Sequence, residues 1–204
     1  MMDDLQPVTP PDLADLVGSR LCHDLVNPLS AIANGLELLA LSGAPKTPEL
    51  DLIGAALSDA MARIRFFRVA FGAARPGDTL SEREVQDILS AVYGSGRLSV
   101  DWQVMGDPSR RAAKLGFLLL NCAEMALPLG GTLTITEDGG WCVRGAGRKL
   151  SIDAELWQGL TLPSSPPAAA RVQFSLLAQE VSRQGLTLSH QIDEGANTLC
   201  LRAD

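Results

Sequence analysis

The chain is poor in the residue types that build several common kinds of site. Among its 204 residues there are two histidines, one tyrosine and four cysteines, and aromatic residues make up only 4%. The cysteines show no CxxC or CxH spacing, which argues against a zinc site. Each also has apolar neighbours, so we expect buried free thiols rather than disulfides. They are Cys22, Cys122, Cys142 and Cys200.

Long apolar runs and an excess of positive charge are missing too. Hydrophobic residues make up 46% of the chain, yet no run approaches the roughly 20 residues that a membrane span needs. A formal net charge of −7 argues against nucleic acid or an anionic membrane as a direct partner. The acidic start, Met1 to Asp4, lacks the basic and apolar pattern of a secretory leader. We expect a cytoplasmic protein that buries one or two small cores.

One of the two histidines lies in the most informative stretch, residues 21–39, which reads LCHDLVNPLSAIANGLELL. Its apolar residues recur at alternating steps of four and three, the pattern of an apolar helix seam. They are Leu25, Leu29, Ile32, Leu36 and Leu39. At about 100° per residue, His23 lies roughly 180° from the middle of this seam. We therefore expect an outward-facing histidine, and the alternative is an ordinary exposed one without a function.

The face that carries His23 continues as a strip of mostly small polar residues. Steps of three and four from the histidine reach Arg20, Asn27, Ser30 and Asn34. Asp24 follows His23 directly and is suited to accept a hydrogen bond from one ring nitrogen, which leaves the other as a nucleophile. Pro28 removes an amide donor, so we expect the helix to bend there.

Two long helices make up the first part of the chain. Residues 9–12 predict a helix start with Thr9 as the cap, and this helix continues to about Leu41. Residues 42–46 break it, and Thr47 caps a second helix. The short break predicts an antiparallel hairpin with more apolar surface than one hairpin can bury. Two chains pairing into a dimeric four-helix bundle would cover it, as would the second half of the same chain.

The second half mixes helices and strands. A break in composition near residue 76 divides the chain into a helical part, 1–76, and an α/β part, 77–204. We expect an α then α+β fold, in which the second part is an α/β sandwich with helices on one face of the sheet. The predicted helices span residues 81–93, 107–127 and 169–184; the predicted strands span 98–104, 132–136, 141–144, 186–192 and 197–201, and an exposed loop covers 163–167.

The hairpin resembles the dimerisation and phosphotransfer domain of bacterial sensor histidine kinases. Their H-box reads His-acid-x-x-(Thr/Asn)-Pro-Leu, and residues 23–29 read HDLVNPL. The second half is similar in element order to the kinase ATP-binding domain, the Bergerat-like fold. The resemblance implies that His23 carries the phosphoryl group, with Asp24 and Asn27 as further catalytic residues.

The predicted nucleotide site departs from the kinase pattern. Asn121 matches the first asparagine of the N-box, but Met125 replaces the second, which holds the magnesium of ATP in kinases. Val143 stands where the adenine-reading aspartate of the Asp-x-Gly-x-Gly motif is expected. The resemblance therefore implies a degenerate ATP-binding domain with no autokinase activity and no cofactor of its own.

An intact phosphotransfer motif beside a degenerate nucleotide site resembles the ChpT-type histidine phosphotransferases. The run NGLELL at residues 34–39 is the more specific part of that resemblance. It implies a phosphorelay in which His23 shuttles a phosphoryl group between receiver-domain aspartates. The implied partners are response regulators, the receiver of a hybrid kinase and a second copy of the chain, and the receiver supplies Mg²⁺.

A receiver has to cover the surface around His23, and the small side chains of the polar strip leave room for it. If the hairpin reverses near residue 45, His23 also lies level with about residue 67 of the second helix. Arginines there are suited to meet a phosphoryl group or an acidic partner, although a solvated basic patch is as good an interpretation for any one of them. The predicted docking residues are Arg20, Ser30, Ala31, Asn34 and Arg63, with Arg65 and Arg68 nearby.

Two other functions compete with phosphotransfer. One is an active soluble histidine kinase that uses ATP, against which Met125 and Val143 argue. The other is a noncatalytic dimeric adaptor of receiver domains, in which His23 is incidental. The second histidine, His190, lies in a predicted strand without an acid or cysteine beside it, so we interpret it as structural.

Overall fold

The computed structural model describes residues 12–161 and 168–204. A helical hairpin comes first, and a mixed sheet with helices follows it, so the predicted order of a helical part and an α/β part is confirmed. The helices are α1 (Leu13–Leu41), α2 (Pro48–Ala70), α3 (Glu82–Tyr93), α4 (Arg110–Met125), α5 (Ala154–Gln158) and α6 (Val172–Arg183), with a 3₁₀ turn at Ala169–Arg171. The strands are β1 (Leu98–Trp102), β2 (Gly131–Glu137), β3 (Trp141–Gly147), β4 (Leu188–Asp193) and β5 (Thr198–Ala203).

Side-chain caps start the two long helices. Asp12 caps α1 by accepting a hydrogen bond from the amide of Ala14 at 3.3 Å. The predicted cap, Thr9, lies outside the described residues, and the prediction placed the helix start too early. Thr47 caps α2 as predicted, through the amide of Leu50. The α1 helix continues through Pro28 to Leu41, so the proline does not end it.

The predicted apolar seam of α1 divides into two faces. Leu29 and Leu36 are half-buried, on the same side as the buried Cys22. In contrast, Leu25, Ile32 and Leu39 have exposed fractions of 50%, 48% and 46%. The α/β part does not cover these three side chains, which therefore form an unpartnered apolar stripe along α1.

The sheet has the strand order β1-β2-β3-β5-β4. The first two strands pair in parallel, with α4 as the crossover between them, and all other pairs are antiparallel. Inward residues of the central strands lie side by side, as Val143 does with Ile135 and Leu201. The helices cover this face, whereas the outer face carries threonines and charged side chains. The short helix α5 was not predicted, and the predicted loop 163–167 lies outside the described residues.

The core of the α/β part includes the end of α2. The ring of Phe66 is fully buried and lies 4.9 Å from that of Phe117 on α4 and 6.1 Å from that of Tyr93 on α3. Helix α4 can press against the sheet because Gly116 leaves room for two indoles: a Cβ there would lie 2.6 Å from Trp141 and 2.9 Å from Trp102. Hydrophobic burial thus continues across residue 76, and the division at 76–77 stays a prediction.

A buried ion pair joins the same two parts. Lys114, on α4, is 2% exposed and donates hydrogen bonds to Asp15 of α1 at 2.5 Å and to the carbonyl of Gly72 at 3.1 Å. Arg183 of α6 pairs with Asp15 and with the capping residue Asp12. The ammonium therefore links the start of α1 and the residues after α2 to the α/β part.

None of the helices in the described part of the chain combines the length and apolar character that crossing a bilayer requires. All four cysteines are free, as predicted. Three are buried and Cys200 is half-buried on the outer face of the sheet, where its sulfur lies 3.3 Å from that of Cys142.

Candidate functional site

His23 stands on α1 with its imidazole in solvent. Its side chain is 68% exposed, which agrees with the predicted outward orientation. The Nδ1 atom lies 3.1 Å from an oxygen of Asp24, and the other oxygen of that carboxylate accepts a hydrogen bond from Arg20 at 2.8 Å. Arg20, His23 and Asp24 therefore form one chain of contacts within a turn of helix, and the imidazole takes part in it through Nδ1 alone.

The carboxylate determines which nitrogen is free. The hydrogen bond with His23, followed by the effects of Arg20, lowers the pKa of Asp24. Asp24 is therefore ionised near neutral pH and can only accept, so the proton of a neutral imidazole lies on Nδ1. Nε2 keeps its lone pair and points away from this contact, as a nucleophile requires.

A cleft of about 820 Å³ opens beside this imidazole. The wall from α1 includes His23, Asn27 and the buried thiol Cys22; the opposite wall comes from the end of α2, the segment after it, and the first residues of α3 and α4. Close packing brings the walls together: a Cβ on Gly18 would lie 2.7 Å from the carbonyl oxygen of Phe71. Ser19 then accepts a hydrogen bond from the amide of Ala73 at 2.9 Å.

Three arginines line the cleft: Arg68 from α2, Arg75 from the following segment and Arg110 from the start of α4. The predicted docking residue Arg63 is not among the lining residues. Its guanidinium forms two hydrogen bonds with Glu124, at 3.3 and 3.4 Å, and lies over the ring of Tyr93. The arginine level with His23 is thus Arg68, one turn nearer the end of α2.

The other predicted docking residues lie along the outer side of α1. All of them are exposed except Ser30, which is half-buried. With Asn27, they continue the strip of small and polar side chains that carries the histidine: Arg20, Ser30, Ala31 and Asn34. Their role in docking stays a prediction.

The predicted nucleotide-site residues do not line the His23 cleft. Val143 is fully buried in β3 and presents no hydrogen-bond acceptor from its side chain. Met125 is half-buried, and its sulfur accepts a hydrogen bond from Arg171 at 3.5 Å. Asn121 is half-buried on the same helix. That Asn121, Met125 and Val143 mark a degenerate nucleotide site stays a prediction.

The second histidine is packed rather than solvated. His190 points inward from β4, and its ring stacks edge-on with Trp157 at 5.5 Å between centroids. Its Nδ1 is buried without a hydrogen-bond partner within the described residues. The structural interpretation of His190 agrees with this position.

Sequence reasoning missed Arg75 and Arg110 as neighbours of His23. Neither lies at a helical step from the histidine, and Arg110 is far along the chain on another helix. Ser109 caps α4 by accepting a hydrogen bond from the amide of Ala112, which places Arg110 at the first residue of that helix but does not relate it to His23. The cleft exists because the two halves of the chain pack together.

An exposed imidazole with one nitrogen held and the other free, on a helical hairpin beside a cleft with three arginines, fits the class of histidine phosphotransfer proteins. A family model described as the histidine phosphotransferase C-terminal domain matches residues 82–196. The protein phosphotransferase ChpT of Brucella abortus (strain 2308) is 32% identical over 183 residues, 83% of this chain and 86% of that protein. The chain belongs to this histidine phosphotransferase family and is a histidine phosphotransferase of a phosphorelay.

Two solved structures align with this chain, and the first of them has a similar fold. A structure titled as a bacterial phosphotransferase aligns with a TM-score of 0.67 and 24% identity, over 97% of this chain and 99% of that one. Full-length ShkA in complex with AMPPNP aligns with a TM-score of 0.48 and 15% identity, over 92% of this chain and 45% of that one.

Replacing Asp24 tests the role of its carboxylate. We expect Asp24→Asn to slow phosphoryl transfer to this chain by about 10- to 100-fold, because a neutral amide no longer favours the proton on Nδ1. Transfer from a phosphorylated receiver domain, followed in single-turnover experiments, measures the effect. Glu37→Gln is the matched control, since Glu37 is an exposed acid on the same helix. A rate equal to that of the wild type would show that Asp24 is only a surface carboxylate.

Proposed function

We propose that His23 is the phosphoacceptor through which this chain moves a phosphoryl group between receiver-domain aspartates. The supporting observation is the exposed imidazole of His23, with Nδ1 held by Asp24 and Nε2 free. The donor is an aspartyl phosphate, and the acceptor is the aspartate of a second receiver. We propose the receiver of a hybrid kinase as one partner and response regulators as the others.

The transfer step follows from this geometry. Nε2 of His23 attacks phosphorus, the N–P bond forms, and the bond between phosphorus and the aspartate oxygen breaks. The electron pair of that bond leaves with the aspartate as a carboxylate. The imidazole becomes positively charged, and Asp24, still hydrogen-bonded to Nδ1–H, stabilises that charge. The same steps in reverse deliver the phosphoryl group to the next receiver.

The outer side of α1 is the proposed docking surface for the receiver. Small side chains around His23 allow another domain to approach closely, which the in-line geometry of phosphoryl transfer requires. Asn27 lies one turn from His23 in the same cleft and is positioned to contact the incoming partner or to orient a water. We propose that Mg²⁺ reaches the site with the receiver, whose acidic pocket holds it.

Incubation with a phosphorylated receiver domain tests the phosphotransfer proposal. We expect the label to move to His23 and to be labile in acid and stable in base, as a phosphohistidine is. An adaptor without phosphotransfer activity would bind the receiver and stay unlabelled, and that result would refute the proposal.

We further propose that the chain has no autokinase activity. Met125 stands at the proposed metal position, where its sulfur accepts a hydrogen bond from Arg171. A thioether is a poor ligand for Mg²⁺. The adenine amino group also lacks a partner, because Val143 offers only methyl groups. We expect no binding of MgATP at micromolar concentrations by calorimetry and no labelling of His23 by ATP. An active histidine kinase measured alongside is the control, and nucleotide binding by this chain would favour the alternative of a soluble kinase.

A homodimer through the hairpins is the third part of the proposal. The apolar stripe on α1 is left uncovered by residues 12–161 and 168–204, and a second hairpin can bury it in a four-helix bundle. We expect the wild type to be dimeric at micromolar concentration and Ile32→Glu to be monomeric, by light scattering. Glu37→Lys, on the other side of the same helix, is the control that keeps the dimer. A monomeric wild type would contradict the bundle.

A further inference from the structure

The cleft beside His23 is lined by three arginines and by two acids, Asp78 and Glu84, so its formal charge is positive in an acidic protein. None of its arginines, Arg68, Arg75 or Arg110, pairs with a carboxylate within 4 Å in the described part of the chain. Six other arginines do form such pairs there: Arg20, Arg63, Arg83, Arg111, Arg183 and Arg202. The net charge of the whole chain is −7, so the cationic cleft is a local feature.

Two of these guanidinium groups belong to one small region. The Nη2 atom of Arg110 donates a hydrogen bond to the backbone carbonyl of Arg68 at 2.5 Å. Arg110 is half-buried, and burial, together with the positive charge of Arg68, lowers its pKa, while the carboxylates of Glu84 and Asp78 act in the opposite direction. The charge of Arg68 also acts on the thiol of Cys22, the residue before His23. Like charges held together beside the imidazole are unfavourable, and an anion between them would relieve the repulsion.

Arg110 lies on α4 near a buried contact that fixes this helix against the hairpin. Lys114 follows it at the i+4 position, so both side chains leave the same face of α4 toward the hairpin. Lys114 is buried against Asp15 and the carbonyl of Gly72. This contact holds the start of α4 against α1 and against the end of α2, where Arg68 lies. A group on a rigid element can stabilise a transition state without reorganising.

We propose that Arg68 and Arg110 form an anion site that holds the phosphoryl group as it moves between the receiver aspartate and Nε2 of His23. The three nonbridging oxygens of that group carry negative charge throughout the transfer, and guanidinium groups match them in charge and geometry. Arg110 belongs to the α/β part, so this part completes the phosphotransfer site on the hairpin. The proposal rests on the phosphotransfer function of His23 and adds to it a role for the α/β part that requires no nucleotide.

Charge-removing variants test the site. We expect Arg110→Gln and Arg68→Gln each to lower the maximal rate of transfer from a phosphorylated receiver by about 10- to 100-fold. The receiver concentration that gives half of that rate stays within about twofold of the wild-type value, because the arginines act on the phosphoryl group rather than on docking. Arg110→Lys, which keeps the charge but not the planar fork, recovers part of the rate. Arg83→Gln is the control, since Arg83 is an arginine of α3 with an 89% exposed side chain.

A small phosphodonor provides the second measurement. Phosphoramidate labels histidine without a docked protein, so we expect both glutamine variants to be labelled more slowly by it as well. Thermal unfolding checks that each variant is folded. If Arg110→Gln does not fold, Arg68→Gln is sufficient for the test, because Arg68 is exposed and its replacement should not disturb the core. Maximal rates equal to the wild type, or a change confined to the half-saturating receiver concentration, would overturn the proposal. A wild type that is never labelled on His23 would instead refute the phosphotransfer function itself.

Discussion

His23→Gln is expected to abolish phosphoryl transfer to this chain while leaving the fold intact. An amide has no nucleophilic nitrogen that can form a stable N–P bond, so we expect no acid-labile label from any phosphorylated receiver. The side chain of His23 is 68% exposed and, among the residues that the structure describes, hydrogen-bonds only Asp24, so its replacement opens no cavity. The free energy of unfolding should therefore change by less than about 0.5 kcal/mol.

The other histidine provides the matched control for this experiment. His190 is packed against Trp157 on β4, away from the cleft, and His190→Gln should keep the label even if it lowers stability. Mass spectrometry of the labelled protein locates the phosphoryl group directly. Label in the His23→Gln variant at the wild-type level would place the phosphoacceptor at another residue.

Lys114→Met is expected to give the largest loss of stability among single substitutions at the junction of the two parts. Methionine keeps most of the length of the lysine but leaves the carboxylate of Asp15 and the carbonyl of Gly72 without the ammonium. Removing one partner of a buried ion pair costs about 3–5 kcal/mol, because the other charge stays buried and loses its partner. Because Arg183 still contacts Asp15 in this variant, we expect a cost toward the lower end of that range. Urea denaturation measures the free energy of unfolding.

The double variant Lys114→Met, Asp15→Leu separates this explanation from a simple packing defect. Two apolar side chains of similar volume remove both charges together, and such replacements are often neutral or stabilising. We expect the double variant to recover a large part of the stability that the single variant loses. Equal instability of the two variants would mean that the charges themselves contribute little and that the shape of the lysine matters more.

Local physical chemistry explains why much of the fold is readable in the sequence. Ser81 caps α3 by accepting a hydrogen bond from the amide of Glu84 at 3.1 Å, and a serine followed three residues later by a glutamate is the pattern of a capping box. Thr47 caps α2 in the same way. The alternation of apolar and polar residues predicted all five strands to within a few residues. These signals depend only on neighbours along the chain, so no tertiary contact is needed to interpret them.

Local information was less reliable where long-range packing determines the outcome. The start of α1 was predicted at Thr9, but the helix begins after Asp12, whose carboxylate also pairs with Arg183 from the far end of the chain. The seam of α1 was predicted as one face, yet Leu29 and Leu36 pack within the chain and Ile32 does not. Periodicity identifies apolar residues but does not distinguish the side of a helix that packs within the chain from an adjacent side that stays exposed.

The exposed histidine beside a carboxylate, its place on a long amphipathic helix, and the loss of polar groups at Met125 and Val143 follow from the sequence by itself. Spacing along one helix determines those relations, and residue identity determines the chemistry. Only the tertiary structure brings Arg110 to the cleft of His23 and turns Arg63 toward Glu124. The ion pair of Lys114 with Asp15 spans 99 residues of sequence. Contacts of this kind form because burying two distant surfaces together lowers the free energy, and no local pattern records which surfaces will meet.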